Sequence, residues 1–212
     1  MSPLKINYPK GQRFSRDLND RSNQKRNKKP LSYSNRGMSL EEDINLTNKQ
    51  YLANNLAVIH KKPTPIQVVK VDYPKRSAAK ITEAYYRRSS TTDYNGVYRG
   101  YYLDFEAKET KNKTSFPLNN FHEHQIEHMK QTSEHGGICF ALISFSSLNK
   151  IFLIHSDFLF QWWDQQFEKD GRKSIPLKEI EKQNHLLSYA YNPRIPYLEV
   201  VDQLIEQIET LN

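Results

Sequence analysis

A short stretch of the chain carries side chains whose types and spacing suit phosphodiester hydrolysis. Asp104, Glu106 and Lys108 are separated by single apolar residues, so a β-strand over this stretch places all three on one face. Asp93 precedes them across a short glycine-containing turn. Carboxylates are hard oxygen ligands for Mg²⁺, and a neighbouring lysine can orient the attacking water or offset charge on the phosphorane. The pattern therefore indicates a metal-assisted hydrolytic site.

The Glu-x-Lys pair has an ordinary alternative interpretation, because on a strand it is usually a solvated ion pair. Asp93 upstream makes the arrangement fit the degenerate Asp…(Asp/Glu)-x-Lys pattern of restriction-endonuclease-like nucleases. The three residues together favour the catalytic interpretation over the surface ion pair.

Composition predicts one domain with polar extensions in a chain of 212 residues. The single cysteine, Cys139, lies in an apolar run and is predicted to be a small core residue, which favours a reducing compartment. The sequence contains neither a membrane-length apolar run nor an N-terminal signal peptide, so we expect a cytoplasmic protein without membrane partners.

Positive charge is concentrated in two segments. Residues 1–34 carry nine Lys and Arg against two Asp, and residues 60–88 carry eight against Asp72 and Glu83. Such focused charge indicates a polyanionic partner, most often nucleic acid. Residues 1–34 lack periodicity and are predicted to be a mobile basic arm, either a solubilising tail or a contact for DNA or a partner.

Residues 35–212 contain the predicted structured domain. A helix is expected from about Ser39 to Asn54, because Ser39 and Glu42 form a capping-box signature. Glu41 lies in its first turn, where an acidic residue is common for the helix dipole alone. Strands are expected at 56–61, 138–146 and 150–156, and further helices at about 122–134, 156–169 and 197–211.

The segment after the first strand is predicted to be a protruding basic excursion. Two strand-like pieces, 66–73 and 81–87, flank a basic turn, and an ordinary hairpin is the simpler interpretation. Cations that could bind phosphates are interleaved with rings that could stack on unpaired bases. The candidate DNA contacts are Arg36, Lys70, Lys75, Arg76, Lys80, Tyr85, Tyr86, Arg87 and Arg88.

The helix at about 122–134 carries His122, His124 and His128, which invite a metal-ligand interpretation. The carboxylates and the lysine already supply a site for a hard metal, and surface helices often carry histidine. The carboxylate site is therefore favoured over a histidine site.

Several long blocks of the sequence resemble the RecU family of Holliday junction resolvases. They occur in the family's order, from about Asn35 to the C-terminus: NRGMSLEEDIN, AVIHKKPTPIQVVKVDYPKRSAAKITEAYYR, STTDYNGVYRGYYLDFEAKETK and FHEHQIEHM. The resemblance implies a restriction-endonuclease-like α/β core, in which helices flank a mixed β-sheet. It also implies a basic stalk at about 63–81 that enters the centre of a four-way junction.

The resemblance also implies residue roles. Asp93 and Glu106 correspond to ligands of Mg²⁺, for which Mn²⁺ is a plausible substitute. Thr92, beside Asp93, is predicted to belong to the same metal site. Lys108 corresponds to the catalytic lysine, and Gln125 and Glu41 belong to the active site by the same resemblance. The family further implies a homodimer, and a recombinase or a branch-migration motor as partner.

Two rival functions stay open from the sequence. A nuclease of the same fold that cuts ordinary or damaged duplex would share every catalytic residue without needing the basic excursion. A non-enzymatic DNA-binding or recombinase-regulating protein is the second rival, and the complete set of Asp93, Glu106 and Lys108 argues against it.

Overall fold

The structure, a computed structural model, describes residues 39–87 and 91–211. The predictions for residues 1–34, for Arg36 and for Arg88 lie outside these ranges. The helices within them are α1 Leu40–Ala53, α2 Glu123–Glu134, α3 Ser156–Gln165, α4 Leu177–Gln183 and α5 Leu198–Leu211. The strands are β1 Val58–Lys61, β2 Ile66–Asp72, β3 Lys80–Tyr86, β4 Tyr94–Tyr98, β5 Tyr101–Thr110, β6 Ser115–Pro117, β7 Ile138–Phe145, β8 Lys150–His155, β9 Ser174–Pro176 and β10 His185–Leu187.

A six-stranded mixed sheet forms the centre of the fold. Its strand order is β1-β4-β5-β7-β8-β10. β5 and β7 are parallel, whereas the other neighbouring strands are antiparallel. A parallel pair needs a long crossover connection, and α2 lies within the segment that joins β5 to β7. The predicted fold class, a mixed sheet flanked by helices, is confirmed.

Two hydrophobic cores lie on opposite faces of this sheet. One contains apolar side chains of α1 and α5, packed with Leu103 and Phe105 of β5. The other contains side chains of α2 and α3, packed with Ala141 and Ile143 of β7. Cys139 is 4% exposed in this second core, which confirms its predicted role as a core residue.

Strand β5 is more deeply buried than its alternation predicts. Leu103 and Phe105 face the first core as expected, but Asp104 and Glu106 on the opposite face are also fully buried. The polar face is covered because α2 packs over it: Gln125 of α2 contacts Glu106 and His128 contacts Asp104. Alternation identifies the two faces of a strand, but it does not report a helix that covers the polar one.

A tight turn connects β4 to β5 and brings Asp93 next to β5. Tyr98 pairs with Tyr101, so the loop has only two residues, Arg99 and Gly100, and both have positive φ angles. Such turns match the twist of the flanking strands. The register that follows places Tyr94 opposite Phe105, and Asp93 immediately precedes this pair.

The capping-box prediction for the first helix is confirmed. The Glu42 amide donates to Ser39 Oγ at 3.3 Å, and the Ser39 amide donates to Glu42 Oε2 at 2.8 Å. Elements that the sequence did not predict are β6, β9, β10 and α4, each of seven residues or fewer. Within the described residues, the helices are too short and too polar to cross a membrane.

The basic excursion forms a separate hairpin of β2 and β3, here called the stalk hairpin (Ile66–Tyr86). Its strands pair with each other in a two-stranded sheet of their own. Tyr85 and Tyr86 pair with Gln67 and Ile66, so the hairpin extends beyond the stalk predicted at about 63–81. The Arg87 amide donates to the Pro65 carbonyl at 2.9 Å, which holds the two ends of the hairpin together.

Candidate active site

Glu106 is at the centre of the candidate site. Its side chain is fully buried, and both of its oxygens have partners. Oε1 accepts a hydrogen bond from Gln125 Nε2 at 2.8 Å and forms an ion pair with Lys108 Nζ at 2.7 Å. Oε2 accepts a hydrogen bond from the Asp93 backbone amide at 3.0 Å. Asp93, Glu106, Lys108 and Gln125, all predicted from the sequence, are thus brought together.

The electrostatics of this cluster favour a cation. Burial raises the pKa of Glu106 to about 8; Lys108 opposes this rise and the neighbouring Asp93 carboxylate adds to it. Two carboxylates in a poorly hydrated place repel each other when both are ionised, and a positive charge between them relieves that repulsion. The Lys108 side chain is 19% exposed, and its ammonium offsets only part of the rise in the Glu106 pKa.

Gln125 owes its orientation to the start of α2. His122 caps this helix, and its amide donates to Gln125 Oε1 at 3.0 Å, in the reciprocal pattern of a capping box. The amide nitrogen of the same side chain is left pointing at Glu106. A local capping requirement therefore aims a hydrogen-bond donor at the buried carboxylate.

Glu41 borders the same site from the first helix. A cleft of about 140 Å³ is lined by Glu41, Asp93 and Lys108, together with Ser39, Leu40, Tyr94, Ala107 and Glu109. The Glu41 carboxylate forms an ion pair with Lys61 Nζ at 2.6 Å. Capping by Ser39 places the first turn of α1 at this cleft, so the acidic residue that the helix dipole favours also lies beside Asp93.

The donor set fits a hard divalent cation. Asp93 and Glu106 supply two carboxylates on adjacent strands or their ends, and Mg²⁺ is commonly bound by one or two carboxylates while waters and substrate phosphates complete its shell. Among residues 39–87 and 91–211, no group of three His, Cys, Asp or Glu side chains converges as a metal site.

Thr92 and Asp104 form a second cluster beside the first. The Thr92 hydroxyl donates to Asp104 Oδ1, and Lys62 Nζ donates to Thr92 Oγ1 at 2.9 Å and to Asp104 Oδ2 at 2.8 Å. Tyr102 donates its hydroxyl hydrogen bond to Asp104 Oδ2 at 3.0 Å. The Thr92 side chain is thus directed at Asp104, and the metal role predicted for it stays a prediction.

The three histidines near the start of α2 have different surroundings. His128 Nε2 lies 3.3 Å from Asp104 Oδ2, whereas the rings of His122 and His124 stack at a centroid distance of 5.4 Å. His128 therefore contacts the buried carboxylate of the second cluster.

The candidate DNA contacts within the described residues lie on the stalk hairpin or at its end. Six of them are exposed: Lys70, Lys75, Lys80, Tyr85, Tyr86 and Arg87. Arg76 lies in the turn between β2 and β3. Tyr85 is 60% exposed and Tyr86 is 85% exposed, so both rings are accessible. The positions of these residues are compatible with DNA binding, which stays a prediction.

Sequence reasoning missed Lys62 and Tyr102 as members of the polar network. The sequence places Lys62 only within a basic segment, yet its side chain is 18% exposed and contacts both Thr92 and Asp104. A lysine at the end of a predicted buried strand, immediately before Pro63, was the available signal. The signal is weak because pairing with a carboxylate 42 positions away is not visible in a single sequence.

The chain is similar in sequence to known proteins over nearly its whole length. A protein from Pediococcus pentosaceus named Holliday junction resolvase RecU is 58% identical over 97% of this chain and 100% of its own length. A protein of the same name from Bacillus subtilis is 57% identical over 94% of this chain and 95% of its own length. The Geobacillus kaustophilus protein of that name is 56% identical over 95% of this chain and 98% of its own length.

A likeness to a solved structure is also found. Archaeoglobus fulgidus Hjc, described as a Holliday junction resolvase from an archaeal hyperthermophile, matches 62% of this chain and 84% of its own with a TM-score of 0.34 and 8% identity. The model of the family described as Recombination protein U matches residues 35–203. With this match and the curated relatives above, the chain belongs to the RecU family.

Proposed function

We propose that this chain is a structure-specific endonuclease that resolves Holliday junctions in recombination and repair by nicking two strands of like polarity. The observation that carries the proposal is the buried Glu106, which Asp93, Lys108 and Gln125 all contact. A fully buried carboxylate with a raised pKa, beside a second carboxylate and a lysine, is typical of a functional site. Family membership supplies the substrate class.

Asp93 and Glu106 are the residues that would hold Mg²⁺, with Mn²⁺ as an alternative of similar ligand preference. When bound, the ion supplies Lewis-acid polarisation of the phosphate and a lower pKa for a coordinated water. Glu41 borders the cleft where it can hold waters of that shell. Every other role in the proposal belongs to side chains of the chain itself.

Lys108 and Gln125 have different roles in the proposed reaction. The Lys108 ammonium positions the water for in-line attack and stabilises the extra negative charge of the transition state. Gln125 holds one oxygen of Glu106 in place, because its own carbonyl is occupied by the His122 amide. A carboxylate that is held in one orientation loses less free energy to reorganisation when substrate arrives.

The stalk hairpin supplies the preference for a junction in this proposal. Its charge is exposed on a projection separate from the main sheet, where it can approach phosphates of several strands at once. A homodimer would place two active sites about a twofold axis, which suits paired nicks in a nearly twofold substrate. The proposal also includes a recombinase or a branch-migration motor as partner, and a cytoplasmic location. It divides the chain into a basic arm at 1–34 and a nuclease domain at 35–212.

The test uses a mobile four-way junction and a linear duplex of matched sequence, each incubated with the protein and Mg²⁺. We expect symmetric paired nicks on the junction, lost in Asp93→Ala, while junction binding in EDTA is retained. Lys111→Ala, which removes an exposed lysine just beyond β5, is the matched control and should cut normally. Tight binding without cleavage in Mg²⁺, and in a parallel reaction with Mn²⁺, would contradict the enzymatic proposal.

A second variant separates a resolvase from a duplex nuclease. Because the Arg87 amide and the Pro65 carbonyl are hydrogen-bonded, a short Gly/Ser linker can replace residues 66–86 without moving the ends apart. We expect this variant to lose junction preference. Unchanged cleavage of both junction and duplex would favour the general nuclease.

A further inference from the structure

Lys62 connects three segments that meet beside the candidate active site. It lies at the base of the stalk hairpin, between the end of β1 and Pro63. Its backbone amide donates to the Asp93 carbonyl at 2.8 Å. Its side-chain ammonium donates to the Thr92 hydroxyl at 2.9 Å and to Asp104 Oδ2 at 2.8 Å. One residue therefore links the chain entering the stalk hairpin, the chain returning from it, and the catalytic strand.

These contacts hold Asp93 from one side while Glu106 holds it from the other. The Asp93 carbonyl accepts from the Lys62 amide, and the Asp93 amide donates to Glu106 Oε2 at 3.0 Å. Thr92, the residue before Asp93, is buried, and its hydroxyl contacts both Lys62 and Asp104. A movement of the base of the stalk hairpin that displaced Lys62 would therefore disturb the backbone of Asp93.

The charge balance of the cluster also depends on Lys62. Asp104 is fully buried, and its partners are Lys62, Thr92, Tyr102 and His128. Lys62 is the one lysine or arginine among these four partners. A buried carboxylate that loses its cation becomes an uncompensated charge in a poorly hydrated place. Asp104 lies on the same strand face as Glu106, so such a charge would also add to the field at the candidate metal ligands.

We propose that Lys62 is a positioning residue that fixes the Asp93 backbone against Glu106 and couples the base of the stalk hairpin to the catalytic face. The inference rests on the proposed function only in taking Asp93 and Glu106 as the reacting site. Engagement of a junction by the stalk hairpin then acts on the geometry of Asp93 through Lys62. Small displacements of a catalytic group cost large factors in rate, so a residue without contact to substrate can matter.

The experiment compares full-length Lys62→Met, Lys62→Arg, Asp104→Asn and the double variant Lys62→Met/Asp104→Asn. Hydrogen exchange of peptides covering residues 91–106 and junction affinity are measured in EDTA, and thermal midpoints are recorded. The rate of nicking at saturating junction is then measured in Mg²⁺. Lys150→Met is the matched control, because it removes a lysine from a surface ion pair. The side chains of Lys150 and Glu181 in this pair are each 39% exposed.

Positioning predicts that Lys62→Met speeds exchange at 91–94, leaves junction affinity within about twofold, and slows nicking by about 10- to 100-fold. Lys62→Arg should recover most of the rate, because it keeps the charge and a donor. Lys62→Met should also lower the thermal midpoint, because it leaves the buried Asp104 carboxylate uncompensated. The double variant removes that carboxylate, so its thermal midpoint should return towards the wild-type value while its nicking rate stays low.

Two results would overturn the inference. Recovery of both rate and thermal midpoint in the double variant would mean that Lys62 only neutralises Asp104. Unchanged exchange and rate in Lys62→Met would mean that it positions nothing. A wild-type protein that nicks no junction would instead contradict the proposed function, while the exchange measurement in EDTA would still decide whether Lys62 holds Asp93.

Discussion

The centre of the main sheet and the stalk hairpin are both β-structure, but they differ sharply in burial. Every residue of β7 at the centre of the sheet is buried, whereas every residue of β3 in the stalk hairpin is exposed. An isolated two-stranded hairpin has little core to stabilise it in water. The stalk hairpin is therefore suited to contact with a charged partner, and its burial contributes little to the stability of the fold.

The difference also determines how each region can use polar residues. In the sheet, the carboxylates of Asp104 and Glu106 are buried and each has several partners, so their positions are tightly specified. In the stalk hairpin, Lys70 and Lys80 are exposed and free of such constraints on geometry. In the proposed function, the sheet supplies the catalytic groups and the stalk hairpin supplies positive charge.

The largest expected effect concerns stability. Phe105 stacks on Tyr94 and Phe140 at centroid distances of 4.9 and 4.6 Å and is fully buried. Phe105→Ala should lower the free energy of unfolding by about 3–5 kcal/mol, because it leaves a cavity between these rings. Ile81→Ala in the stalk hairpin, where the side chain is 54% exposed, should change it by no more than about 0.5 kcal/mol. Urea titrations followed by circular dichroism measure both.

An equal loss of stability in the two variants would break the comparison. It would mean that the stalk hairpin is packed against something in solution, such as a second copy of the chain. Unfolding at several protein concentrations would then separate a dimer contact from stability within one chain.

The next effect concerns rate. Lys108→Ala should slow junction nicking by about 10²–10³-fold, because the ammonium that stabilises developing negative charge is lost. Its junction affinity in EDTA should change little, since Lys108 is mostly buried against Glu106 and Phe121. Single-turnover rates and binding isotherms measure the two separately. A fall in affinity as large as the fall in rate would place Lys108 among the DNA contacts instead.

The same comparison explains which features the sequence predicted well. Period-2 alternation over 103–108 and the capping-box residues Ser39 and Glu42 report local geometry, and both predictions agree with the structure. The stalk hairpin was also visible, because turn residues and paired strand-like segments are close together in sequence.

Features that depend on distant contacts were missed. The burial of Asp104 and Glu106 requires α2 to cover the polar face, and the role of Lys62 requires Thr92 and Asp104 to lie nearby. The short elements β6, β9 and β10 contain three residues each, too few for a period to be recognised. Asp93, Glu106 and Lys108 follow a pattern that is visible in the sequence. Glu41 and Gln125 belong to the predicted site only through the family resemblance, because neither carries a local signal of catalysis.

A moderate effect on rate is expected at the helix that covers the sheet. Gln125→Ala removes the donor to Glu106 Oε1, so the carboxylate is less well held, and nicking should slow by about 10-fold. Gln131→Ala is the control on the same helix. The Gln131 side-chain amide donates to the exposed Glu127 carboxylate one turn earlier, away from Glu106. An equal loss in Gln131→Ala would indicate that α2 as a whole, and not its contact with Glu106, limits the rate.

The smallest effect sharpens the comparison from the side of the stalk hairpin. Lys70→Ala and Lys80→Ala each remove one exposed charge and no buried contact, so stability and the saturating rate should stay unchanged. If each lysine contacts a phosphate, each substitution should lower the slope of log affinity against log salt concentration by about 1. Lys182→Ala, an exposed lysine near the end of α4, should leave the slope unchanged. Binding of a four-way junction in EDTA at several salt concentrations gives the three slopes, and equal slopes for all variants would remove the stalk hairpin from the DNA interface.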